Sequence, residues 1–184
     1  MIMSNIIIEN ENNDGYFNVI QKIGELLSSS LNLNTTLDKI FSNLESFIGF
    51  SRATLFVLDS NTGKLKIGMV HSEGDCDVTN EWYDIAFQVF KNQEPIVIPN
   101  LAKRSPYFKP SFADQYNNFS LICLPLVLGN ECLGALKVIC PYENQSKLSQ
   151  DVKLLNLVVI MVSQELRLTR LMEVEKEALR NENL

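Results

Sequence analysis

Residues 120–141 read SLICLPLVLG NECLGALKVI CP, two apolar runs around a Gly129-Asn130 turn. They hold three of the chain's four cysteines and one lysine, Lys137. A two-residue turn of this kind joins antiparallel strands, so Leu128 is expected opposite Glu131, with pairing continuing outward. In that register Cys132 faces Val127, Cys123 faces Leu136 and Cys140 faces Phe119, which puts all three thiols on one face of the hairpin. The other face carries Ser120, Ile122, Leu124, Leu126, Leu128, Leu133, Ala135 and Ile139, with Lys137 among them. Both faces are largely apolar, so both are expected to be covered. A lysine in mid-strand on a covered face is costly unless its ammonium snorkels to water or meets an anion.

The thiols do not suggest chemistry. Four residue steps separate Cys123 from Cys132 or Cys140 on their common face, about 13 Å at strand rise. A disulfide needs Cα atoms within roughly 7 Å, and metal ligands must converge as well. Cys76 stands alone in a polar stretch, no C-x-x-C occurs, and the chain has a single histidine, His71. The cysteines therefore read as small core hydrophobes in a reducing compartment, with no metal site and no cofactor. No Ser/His/Asp arrangement is present either, so the expectation is a protein that is not an enzyme.

Outward from the hairpin, the hydrophobic period places the other elements. Phe17, Ile20, Ile23, Leu26 and Leu27 recur at helical spacing over Tyr16–Leu27, and the Asn-rich lead, residues 1–15, is expected to fray. Asn34 or Thr35 can cap a second helix with Leu37, Ile40, Phe41, Leu44 and Ile48 on one stripe before Gly49. Arg52–Asp59 and Lys64–Val70 are strand-like around the turn Ser60-Asn61-Thr62-Gly63. Thr79–Asn92 reads as a helix and Glu94–Asn100 (EPIVIPN) as a short edge strand flanked by prolines. Leu101–Asn118 is irregular, with two prolines and three basic residues, and loops of that length are more often functional than accidental. A long helix begins at Ser149 or Gln150. Hairpins with helices at the chain ends indicate an α+β fold, a central antiparallel β-sheet covered by helices.

A net charge of −6 lacks the basic patch that a nucleic-acid surface needs. The start has neither a basic region nor a long enough apolar stretch for a signal peptide, and charged or amide residues interrupt every apolar run. The expected location is cytoplasmic. In the last helix Leu154, Val158, Met161, Leu168, Met172 and Leu179 keep three- and four-residue steps once Glu165 and Glu175 are counted. Residues 167–184 extend beyond a domain core, leaving Leu168, Leu171, Met172 and Leu179 to be covered by the same helix of a second chain.

The segments LLSSSLNLNTTLDKIFSNLESFIGFSRATLFVLDSNTGKLKI, EPIVIPN, SLICLPLVLGNECLGALKV and the closing helix, in this order, resemble a GAF domain across residues 16–166. Within that family the chain looks most like the amino-terminal regulatory domain of NifA-type sigma-54-dependent transcriptional activators, which continue into an AAA+ ATPase and a helix-turn-helix. The resemblance implies a sheet of about six strands with the terminal helices on one face. A pocket on the other face would lie under the Thr79–Asn92 helix and the Leu101–Asn118 loop. By matching, Thr54, His71, Ile85, Ala86, Asn118 and Lys137 would line that pocket, and Arg104 and Tyr107 from the loop would suit a carboxylate. Cyclic-nucleotide-binding GAF domains carry an acidic residue at the position of Lys137, so the inverted sign here favours a small anionic metabolite. The resemblance further implies 2-oxoglutarate as ligand, a PII-type signalling protein as partner, and control of the protein's own AAA+ domain through a homodimer. Two other readings stand beside the sensor. One is a ligand-free dimerisation and interaction module with its pocket filled by Phe108, Phe112 and Tyr116. The other is a GAF-type free methionine sulfoxide reductase, for which the hairpin cysteines are too far apart and too apolar.

Overall fold

A computed structural model describes residues 2–29, 32–72, 80–101 and 118–182. Helices α1 (Ile2–Ser28) and α2 (Leu33–Ile48) precede strands β1 (Arg52–Leu58) and β2 (Leu65–Ser72), helix α3 (Asn80–Asn92) and strand β3 (Ile96–Ile98). The hairpin of β4 (Phe119–Leu128) and β5 (Glu131–Pro141) then leads to helix α4 (Gln145–Glu182). The five described strands form one antiparallel sheet in the order β2-β1-β5-β4-β3, one fewer than the resemblance implies.

Local chemistry sets the element ends. The Asn32 side chain accepts the Thr35 amide at 3.2 Å and caps α2, two residues earlier than the nearer expected cap. Gly49, at φ 78°, closes that helix by donating its N–H to the Glu45 carbonyl. Asn144 accepts the Lys147 amide at 2.9 Å, so α4 starts at Gln145 rather than at Ser149. The lead expected to fray is drawn into α1, which begins at Ile2; that stretch contains no proline to stop a helix.

The hairpin register is where structure and expectation part. Leu128 opposes Glu131 and Val127 opposes Cys132 as expected, but a bulge between Leu126 and Val127 shifts the rest by one residue. Leu126 then opposes Gly134, Cys123 opposes Lys137 and Ser120 opposes Cys140. One extra residue exchanges the faces of a strand beyond the bulge. The thiols are therefore divided: Cys123 shares its face with Lys137, and Cys140 lies on the opposite one. The signal was Gly134, since a glycine inside a strand often marks a bulge or a close backbone approach.

Two apolar layers cover the sheet. On one face Leu124, Leu136 and Val138 bury against Ile40, Phe41 and Leu44 of α2, Ile23 of α1, and Leu155, Val158 and Val162 of α4. On the other, Phe56, Leu121, Cys123, Ala135 and Ile139 meet Ile85, Ala86 and Val89 of α3. Tyr83 ties α3 to β2 by donating its hydroxyl to the Leu65 carbonyl at 3.1 Å.

Candidate functional site

The face beneath α3 holds two buried polar side chains, Lys137 and Thr54. Register places Ile96, Cys123, Lys137, Thr54 and Val70 in one row across all five strands. Lys137, at the centre of that row, is 1% exposed, so its ammonium does not snorkel to solvent. Its Nζ lies 5.8 Å from the centroid of the Phe56 ring, a cation–π approach within an apolar layer. Thr54, its neighbour on β1, is fully buried, and its Oγ1 has no hydrogen-bond partner. Ile85 and Ala86 of α3 are fully buried over the same face.

Other expected site residues stand elsewhere. His71 opposes Ala53, one residue out of phase with the Thr54–Lys137 row, and is turned to the terminal-helix face. Its Nε2 lies 2.8 Å from the Glu45 carboxylate of α2, with the rings of Phe41 and Phe50 beside it. This histidine ties β2 to α2 and does not line the α3 side. Asn118 is exposed at φ 64°, and its carbonyl accepts the Tyr142 amide at 2.6 Å. It shapes the entry to β4, a conformation asparagine tolerates better than most residues. Arg104 and Tyr107, with the rest of 102–117 and the lone Cys76, lie outside the described residues.

The electrostatics argue against thiol chemistry at the described cysteines. Burial pushes the Cys123 thiol up to about 12, only partly offset by the positive charge of Lys137. Burial likewise raises Cys140 to about 12. A thiol held protonated so far above neutral pH is a poor nucleophile, and no group of three metal-ligating side chains occurs among the described residues.

On the opposite side, a polar knot joins the helices. Lys147 Nζ bonds Asp151 at 2.9 Å and the Ile48 carbonyl at 3.5 Å, while the Tyr16 hydroxyl donates to Asp151 at 3.2 Å. It links α1, α2 and α4. Burial is the main reason why the Asp151 carboxyl is raised, and Tyr16 is raised to about 12, chiefly by burial and then by Asp151. A groove of about 660 Å³ lies beyond this knot, between the β1–β2 turn and the distal part of α4. Asp59, Lys66, Arg170, Glu173 and Glu177 line it with charges of both signs.

Along α4, Leu168, Leu171, Met172 and Leu179 are each more than half exposed. The exposed stripe also begins earlier than the sequence indicated. Leu157 (46%) and Ile160 (49%) face outward over the domain body, while Leu154 and Val158 of the expected seam are buried in their own core. Phe17 of α1 is 67% exposed.

Residues 32–166 match the family model of the GAF domain, and the chain belongs to that family. It is 26% identical over 171 residues to the Nif-specific regulatory protein of Herbaspirillum seropedicae, a match that covers 89% of this chain and 31% of that protein. The chain thus spans about a third of the length of this relative. Among solved structures, the A. aeolicus nlh2 GAF domain in an inactive state superposes with a TM-score of 0.71 at 21% identity, covering 85% of this chain and 98% of that one. Free methionine-R-sulfoxide reductase from Neisseria meningitidis, in complex with its substrate, reaches 0.65 at 14% identity, covering 85% and 91%. Both likenesses speak to fold. No helix among the described residues is long and apolar enough to cross a membrane.

Proposed function

We propose that this chain is the regulatory sensor domain of a cytoplasmic bacterial transcriptional activator of nitrogen fixation, dependent on sigma-54. A small anionic metabolite of the 2-oxoglutarate kind binds beneath α3. Its binding shifts the terminal helices of a homodimer, and through them an AAA+ ATPase of the same protein, with a PII-type protein as a further partner. The chain itself catalyses nothing. The observation that carries the ligand reading is Lys137, 1% exposed on the face that α3 covers. A ligand acts on such a domain through its different affinity for two states of the helices, and the Tyr16–Asp151–Lys147 knot couples those helices.

A thermal-shift experiment tests the binding. At a hundred times its dissociation constant, 2-oxoglutarate stabilises the native state by about 2.7 kcal/mol, a rise of roughly 5 °C or more for a chain of this size. Lys137→Met should fold and lose that rise. If 2-oxoglutarate and related acids leave the wild type unmoved, the ligand-free interaction module is the surviving reading. Its outward stripe on α4 supports dimerisation under either reading. The double variant Leu168→Asp/Leu171→Asp should sediment at half the wild-type mass. Equal mass for the two proteins would refute the helix seam.

A further inference from the structure

The outer side of α4 carries one continuous stripe that runs from the domain body into the extension beyond it. Lys153, Leu157, Ile160, Gln164, Leu168, Leu171 and Glu175 are all exposed. They follow one another by steps of four, three, four, four, three and four residues. At about 100° per residue, all seven fall within about 80° around an ideal helix. Their average of about 3.7 residues per turn lies beside the 3.6 of a straight helix, so two such stripes stay in contact without the left-handed winding that a heptad imposes.

The steps read the same in both directions, with Gln164 at the middle. Two copies of α4 laid antiparallel about that residue therefore match along the whole stripe. Leu157 meets the second copy's Leu171, Ile160 meets its Leu168, and Gln164 meets its own counterpart. Each unlike contact occurs twice about a two-fold axis, as a closed pair of identical chains requires. A glutamine amide both donates and accepts, so the two Gln164 side chains satisfy each other.

Charge decides the direction. The outermost members of the stripe, Lys153 and Glu175, are opposite in sign. In the antiparallel pair each Lys153 faces a Glu175, at both ends of the contact. A parallel pair in register would set Lys153 against Lys153 and Glu175 against Glu175, and like charges across a helix seam select against that orientation. The apolar members agree. Leu157 and Ile160 face outward over the body, and Leu168 and Leu171 stand on the extension. Antiparallel pairing lays each extension over the other copy's body, so both halves of the stripe are covered at once.

We infer that two copies of this chain associate through antiparallel α4 helices, with the two-fold axis at Gln164 and Lys153–Glu175 pairs at both ends. This rests on the homodimer reading given above and adds its direction, its register and its charge pairs.

Disulfide trapping on the full chain tests it, in a Cys76→Ser background where the remaining native thiols are the buried Cys123, Cys132 and Cys140. Gln164→Cys should crosslink to its own counterpart. Lys153→Cys and Glu175→Cys should crosslink when mixed and neither should crosslink alone, since the two 175 positions are about 33 Å apart in this pair, far beyond disulfide reach. Sedimentation at low salt gives the second readout. Glu175→Lys should raise the dimer dissociation constant about 3-fold or more, and Lys153→Glu/Glu175→Lys should restore it. If Lys153→Cys and Glu175→Cys each crosslink alone, or the double charge swap restores nothing, the antiparallel register is overturned while the homodimer stands. A protein that sediments as a dimer with none of these crosslinks overturns it equally. Should wild type sediment as a monomer with no crosslink at Gln164→Cys, the homodimer reading itself fails, and the stripe belongs to a different partner.

Discussion

Gly134→Ala is expected to lower stability by roughly 3 kcal/mol or more, placing it among the most damaging single changes available to this chain. A Cβ at Gly134 would lie 2.0 Å from the Phe56 carbonyl oxygen, 3.0 Å from its carbonyl carbon and 3.1 Å from the Val57 Cα. Those atoms are backbone of the adjacent strand, so no rotamer change can make room. β1 must move away from β5, in the middle of a sheet buried on both faces. The displaced stretch of β1 includes Phe56, which packs in the apolar layer beneath α3. Urea denaturation measures the effect. Gly15→Ala provides the contrast, because its nearest obstacle is the edge of the Phe47 ring at 3.2 Å, a side chain that can yield. Alanine there also favours the helix by up to about 1 kcal/mol. Equal stability of Gly134→Ala and wild type would show that the close approach at the bulge is not what it is described to be.

That bulge also marks how far the sequence could be read. The GN turn, the helical stripe of α2 and the pairing of Leu128 with Glu131 follow from short-range rules, and all stand in the structure. Their forces act within a few residues of the chain. The faces of β4 depend on one residue, Leu133, with no opposite partner in the register, and simple alternation carried past it assigns Cys123 to the wrong side. Gly134 announced the irregularity, but not which strand pair would absorb it. His71 was misplaced for a related reason: a single step along β2 separates the Val70 row from the His71 row, and only the cross-strand register decides which of them looks toward α3. Lys137 stood out because its chemistry is wrong for a covered strand, a signal that survives an error of register. Thr54 gave no such signal on its own. Threonine is ordinary in strands, and its missing hydrogen bond is visible only when every neighbour is in place. The long apolar stripe of α4 was ambiguous for a different reason. A helix apolar on several sides does not say which side meets its own sheet, and so Leu157 and Ile160, rather than Leu154 and Val158, continue the exposed seam.

Stability should fall steeply between pH 9 and 12, and Cys123 should account for a large part of the fall. Its thiol is raised from an ordinary 9.0 to about 12 because burial at the centre of the sheet penalises the thiolate, with the Lys137 charge opposing that only in part. A folded-state value above the unfolded one means that the native protein keeps its proton where the unfolded chain has lost it. The contribution is fully present below pH 9 and is lost as pH rises toward 12, since the unfolded state binds fewer protons across that window. A shift of this size corresponds to an order of 4 kcal/mol for a group so fully buried. Cys140, also raised to about 12, and Tyr16, raised from 10.0 to about 12, act in the same direction, but each is discounted because more solvent reaches it. The comparison that isolates Cys123 is the pH dependence of the urea midpoint in wild type and Cys123→Ala. The variant begins somewhat less stable at pH 8, having lost a buried sulfur, and its decline should be shallower, so that the two curves converge or cross before pH 12. Parallel curves would mean that the thiol reaches solvent in the native state, which is incompatible with a closed layer of α3 over the row that holds Lys137 and Thr54. The same measurement therefore reports on whether the proposed site is sealed. A ligand that enters it has to do so through movement of α3, and alkaline sensitivity that is slowed by bound 2-oxoglutarate would tie that movement to binding.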